Sequence, residues 1–216
     1  MIENDEEGAE MFRESMAQLN DFLASIGLPA HHEPADCPVM SWSGMGYSTI
    51  HFLRRLAAHV ELRGALPAPL EDGASKDGVL QEYYELLSRP GWSFSRLIGR
   101  SAKARAFEHV INHSDAEGYY LPHDFERVLN PPDSFGIAGG MIGSSVRLKS
   151  ECVRLAEALG LPLDVEPEQV ETLITREVMA NPAERWQAYP AESYMCATLL
   201  RAADHSIKHG AAIVFC

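Results

Sequence analysis

Apolar residues recur at helical spacing through most of this chain. Phe12, Met16, Leu19, Leu23 and Ile26 follow one another at steps of four, three, four and three, which lines one face of a helix. Gly27 ends that helix, and Pro29 keeps the chain from resuming it. A second helix is predicted over 48–62, with Ile50, Leu53, Leu56, Ala57 and Val60 inward and Gly64 beyond its end. A third covers 79–87, and a fourth runs over 94–112 with Gly99 weakening its first half. Leu148, Cys152, Leu155 and Leu159 form a clean stripe that stops at Gly160. Pro167 opens another helix from a first-turn position, with Val170, Leu173, Ile174 and Val178 inward. Pro190 opens the last, with Cys196, Leu199, Leu200, Ala203 and Ile207 buried and Gly210 closing it.

Residues 118–121 read as a short strand, and the apolar tail 212–216 as a segment able to pair with one. Strands do not alternate with helices, which excludes a doubly wound α/β fold. The expectation is a mainly α chain: a single globular helical domain over 1–216, of about seven helices with little or no β-structure. Candidate mobile connections fall at 28–48, 64–77 and 130–143, where proline and glycine concentrate.

Charge changes the picture more than composition does. Eighteen Lys and Arg against 31 Asp and Glu give a formal net charge of −13. Such an excess of acid disfavours direct binding to a phosphate backbone, which needs a basic stripe, and favours a basic protein partner. The first seven residues are acidic and lack the basic and apolar regions of a signal peptide. No apolar run approaches the ~20 residues of a membrane helix. Cys37, Cys152, Cys196 and Cys216 are widely spaced and read as free thiols. A cytoplasmic protein without a membrane segment is expected.

Candidate chemistry is sparse. His109 and His113 are spaced one helical turn apart, the geometry of two metal ligands, and His123 could join them. Val110 stands where a zincin would carry its catalytic Glu, so polar-face histidines near a helix end are the competing reading. His205 and His209 complement the negative end of the last helix. The glycine loop leading into the helix at 145 is an anion-binding candidate through Gly140, Gly143, Ser144, Ser145 and Arg147. Basic residues at a helix N-terminus need a compensating negative group, from a ligand or from this acidic chain itself. A Walker A lysine is missing, and the bland alternative is a serine N-cap beside tight turns. No nucleophile elbow and no catalytic constellation emerges, and no cofactor is expected. The aromatic residues Trp42, Trp92, Tyr83, Tyr84, Tyr119 and Tyr120 are candidates for a partner surface, with Tyr83 and Tyr120 assigned to the core.

The run from His113 to Phe125, the Gly139–Ser145 loop, the Glu33-Pro34 turn and the run from Tyr47 to Arg55 together resemble a group of bacterial proteins of about this size. The resemblance implies a bacterial source, a shared fold and kinship with small accessory and toxin-immunity proteins. It assigns no catalytic residue. The leading expectation is a non-enzymatic binding protein, most concretely an immunity-type protein masking a basic toxin or effector domain. The alternative is a hydrolase for an anionic small molecule, metal-assisted or not, built from the glycine loop and the histidines.

Overall fold

Two buried clusters, separated by one three-residue strand, organise the chain. A computed structural model describes residues 6–41, 48–88, 105–114, 116–137, 139–174, 178–179 and 181–215. Among them are seven α-helices: α1 (Glu6–Ser25), α2 (Thr49–Arg63), α3 (Gly78–Ser88), α4 (Glu108–Ile111), α5 (Ser145–Leu159), α6 (Pro167–Leu173) and α7 (Pro190–His209). Three short strands, β1 (Tyr119–Leu121), β2 (Ile142–Ser144) and β3 (Ile213–Val214), form a sheet in the order β2-β1-β3. The β1–β2 pair is parallel and the β1–β3 pair antiparallel. The fold is mainly α, as the helical periodicity predicts.

Side chains alternate across a strand, and β1 uses both faces. Tyr120 enters the larger cluster, with Leu53, Leu56, Leu80, Leu148, Leu155 and Leu200. Tyr119 and Leu121 enter the smaller one, with Leu19, Phe22 and Leu23 of α1. The central pair of the larger cluster is α5 against α7, and α7 also carries α2 and α6. Its buried face includes Ser193, Cys196, Ala197, Ala203 and Ser206, small residues that permit close approach. Cys196 Sγ donates to the Cys152 carbonyl at 3.3 Å, and the hydroxyls of Ser145 and Ser206 meet at 2.7 Å.

Local signals mark the ends as expected. Gly64, Gly160 and Gly210 adopt left-handed conformations that close α2, α5 and α7. Pro167 and Pro190 occupy first-turn positions, and Glu166 with Gln169 forms a capping box on α6.

Several expectations need correction. Of the fourth helix, residues 94–104 lie outside the described residues, and the described part is helical only over α4. Just before it Phe107 is non-helical, with the Arg154 guanidinium over its ring, and Arg105 pairs with Glu61. α6 stops at Leu173, with Ile174 as its C-cap, and Leu173 is exposed rather than inward. Ile26, just past the end of α1, and Ile207, in the last turn of α7, also face solvent. The connection at 130–143 is not wholly irregular: it runs into β2, and Ile142 exchanges two backbone hydrogen bonds with Leu129. At the end of the 64–77 connection, Asp77 accepts from Arg55 at 2.9 Å and contacts His59 at 3.0 Å. Tyr83, Tyr119 and Tyr120 are core residues and Tyr84 is half-buried. Trp42, Trp92 and Cys216 lie outside the described residues.

Gly143 sits in β2 with no left-handed φ. Its requirement is space: a Cβ there would overlap Cδ1 and Cε1 of the Tyr120 ring and lie 3.1 Å from His113 Cδ2. Gly143→Ala is therefore expected to destabilise the fold by about 1–3 kcal/mol through overpacking. Tyr120→Leu in the same chain should recover part of that loss in thermal melts. A Gly143→Ala variant as stable as the parent would contradict this packing.

Candidate functional site

Four of the residues singled out by the sequence, His109, His113, Gly143 and Ser144, meet at or beside α4, a helix of one turn. So short a helix does not hold itself, since nucleation costs more than one turn returns. Its ends are held by two buried polar side chains from neighbouring helices, Glu151 and Arg54. Glu151 of α5 accepts the N–H groups of His109 at 3.1 Å and Val110 at 2.8 Å, one on each carboxylate oxygen. Arg54 of α2 donates to the carbonyls of Val110 at 3.1 Å and His113 at 2.5 Å. Acid lies at the positive end of the turn and base at the negative end. Burial pushes the Glu151 carboxyl up to about 8, against the lowering effect of its two N–H donors.

His109 and the glycine loop do come together here. His109 Nδ1 accepts the Ser144 N–H at 3.1 Å, and its Nε2–H donates to the Glu126 carbonyl at 3.3 Å. That pattern belongs to a neutral ring protonated on Nε2, and burial holds the His109 pKa down at about 4. His113 stacks on Tyr120 at 4.0 Å, with its two nitrogens facing the carbonyls of Ser114 and Tyr119. Burial brings it to about 4 as well. The Tyr120 hydroxyl donates to the His109 carbonyl at 2.6 Å. These histidines are 1% and 3% exposed, so the expected polar helix face is overturned: both are core residues.

His123 points its ring elsewhere, edge-on to His31 at 5.9 Å. The metal candidates His109, His113 and His123 therefore do not converge. Among the described residues no three His, Cys, Asp or Glu side chains gather as ligands would. His205 sets Nε2 against the Pro38 carbonyl at 2.9 Å and Cys37 Sγ at 3.4 Å, which ties the loop after α1 to the end of α7.

Of the anion candidates, Gly140 has a left-handed φ of 57° in the turn before β2. Ser144 caps α5: its Oγ accepts the Arg147 N–H at 3.2 Å and donates to the His123 carbonyl at 2.6 Å. The Ser145 hydroxyl meets Ser206. Arg147 pairs with Asp124 at 2.5 Å on the surface, and Lys149 with Asp204. The compensating negative groups that the sequence calls for are thus present as carboxylates of the chain itself.

The sequence reading missed Glu151 and Arg54, yet a signal existed. Glu151 falls on the apolar stripe between Leu148 and Leu155, and Arg54 between Ile50 and Ala58. A charge on an apolar stripe must be paired or hydrogen-bonded when the helix packs.

The exterior is of different character. Residues 1–53 hold nine acidic side chains against Arg13 alone, and residues 155–175 hold five with no Lys or Arg. Glu10, Glu14 and Asp21 on α1, and Asp164, Glu168 and Glu171 around α6, are exposed and make no ion pair among the described residues. No described helix is long and apolar enough to cross a membrane.

The buried groups set opposing pH dependences. The lowered His109 and His113 favour folding fully above about 6.5, and that contribution is lost as pH falls towards 4. The raised Glu151 favours folding fully below 4.5, and its contribution is lost as pH rises towards about 8. Thermal melts are expected to peak near pH 6.5, with Glu151→Gln flattening the fall between 6.5 and 8; a parent Tm that rises over that interval would contradict the assignment. Arg147→Ala removes only an exposed pair and should change stability by no more than about 0.5 kcal/mol in denaturant titrations. A larger loss would mean that Arg147 does more than pair with Asp124.

Comparison with curated proteins and with solved structures finds no match. The model of the family described as "Putative DNA-mimic protein" matches residues 1–215, and the chain belongs to that family.

Proposed function

We propose that this protein is a non-enzymatic binding protein that occupies the DNA-binding surface of a basic partner in place of nucleic acid. The observation that carries the reading is the family match over nearly the whole chain. The charge distribution supports it. A protein that binds the DNA backbone gains most of its non-specific affinity from Lys and Arg facing regularly spaced phosphates. A folded chain of net charge −13 that leaves carboxylates unpaired on its surface offers the same electrostatic complement. The same charge keeps the chain itself off DNA.

A narrower form of the reading makes the partner a toxin or effector domain, with this chain as its immunity-type antagonist in the bacterial cytoplasm. Its support is the resemblance given above and the acidity that a basic effector would match. The hydrolase alternative has less support. The glycine loop and histidines do meet, but in a packed interior where the ring nitrogens already face backbone groups.

The test is displacement. A labelled DNA duplex is bound to purified DNA-binding proteins and to basic effector domains encoded near this gene, and the chain is titrated in. Release of the duplex from at least one of them is expected, with the effect weakening as salt rises through the range where surface charges are screened. The chain alone should not shift the duplex. Direct binding of the duplex by this chain, or no displacement from any candidate at low salt, would overturn the proposal.

A further inference from the structure

We propose that the outer face of α1, with the groove between α1 and residues 31–33, is the surface that seats the basic partner. This deepens the DNA-mimic reading and rests on it.

At 100° per residue, Glu10, Glu14 and Asp21 fall within an arc of about 40°, at rises of about 6 and 10 Å along the axis. Leu19, Phe22 and Leu23 lie on the opposite side, buried in the smaller core. The carboxylates therefore point directly away from the body of the protein, in a row along a helix of 20 residues. Met11 on one flank is 66% exposed. On the other flank lies a groove of about 380 Å³ with Phe12, Met16 and Ala17 on its α1 side.

The far wall of that groove is fixed in place. Asn20 accepts the His31 N–H at 2.7 Å and donates to the His31 carbonyl at 2.9 Å. Glu33 Oε2 faces His31 Nε2 at 2.7 Å and accepts the Ala212 N–H at 2.9 Å, which joins the wall to the residue just before β3. An open groove that sets Phe12, Met16 and Ala17 among polar side chains, beside a row of charges, gives a protein partner apolar as well as charged contacts. The charges steer and the apolar contact holds. The acidic region around α6 is the rival surface. There Glu166 is already neutralised by Arg201 at 3.2 Å, and the helix has only seven residues.

Arg13, at the edge of the groove, is the one cation in the sequence of α1. It opposes indiscriminate binding of polycations and so favours partners that place a carboxylate opposite it.

The probe is fluorescein-labelled nona-arginine, read by anisotropy at about 50 and 200 mM salt. Three exposed-site variants are compared with the parent: Glu10→Gln/Glu14→Gln/Asp21→Asn on α1, Asp164→Asn/Glu168→Gln/Glu171→Gln around α6, and Arg13→Gln. At low salt the α1 variant is expected to bind about tenfold more weakly and the α6 variant within about twofold of the parent. Arg13→Gln should bind about two- to threefold more tightly. A loss in the α6 variant equal to or greater than that in the α1 variant overturns the proposal, as does an α1 variant within twofold of the parent. Those outcomes leave DNA displacement by the parent intact, so a misplaced surface is distinguishable from a failed DNA-mimic reading. A parent that does not bind the peptide at low salt overturns the proposal as well.

Discussion

The one-turn helix α4 is stable only because the Glu151 carboxyl group closes one end and the Arg54 guanidinium the other. Glu151 and Arg54 come from different helices, and each meets backbone groups of the turn. Much else follows from that arrangement. The turn presents His109 to the Ser144 N–H at the end of β2 and offers its carbonyl to the Tyr120 hydroxyl of β1. The small sheet is thereby locked to the helical core, and β1 can serve both buried clusters. Gly143 completes the fit by leaving room for the Tyr120 ring.

Titratable groups in this chain divide into two populations with different work. Those inside, among them His109, His113 and Glu151, have their pKa values moved by burial and hydrogen-bond to the backbone. They specify which segments meet. Those outside are carboxylates in excess over cations, arranged by the helices that carry them. Perturbed pKa values often mark catalytic sites, but here they mark a polar core that fixes the platform for a charged exterior.

Helical periodicity carried most of the architecture, because amphipathic stripes such as Leu148, Cys152, Leu155 and Leu159 fold as they read. Helix ends were legible from glycine and proline. What sequence periodicity could not carry was tertiary. The four-residue extent of α4 depends on partners 41 to 59 positions away. The assignment of β2 depends on pairing with β1 rather than on any local strand signal. The histidine pair at 109 and 113 was visible as a pair, while its burial was not, since that depends on where β1 and β2 pass. The charge argument for a basic partner needed only a count of residues. Its placement on α1 needed the fold, which shows the acids in one row opposite the buried face.

The central claim is that this chain stands in for the DNA backbone on a partner's own nucleic-acid surface. The most direct test acts on that partner. Its phosphate-contacting Lys and Arg residues are replaced one at a time, and affinities for a DNA duplex and for this chain are measured side by side. Substitution of the DNA backbone predicts losses that run in parallel, residue by residue, with salt slopes that shrink together. Variants that lose DNA while holding this chain at full strength would show that the two ligands occupy different surfaces, and would contradict the account.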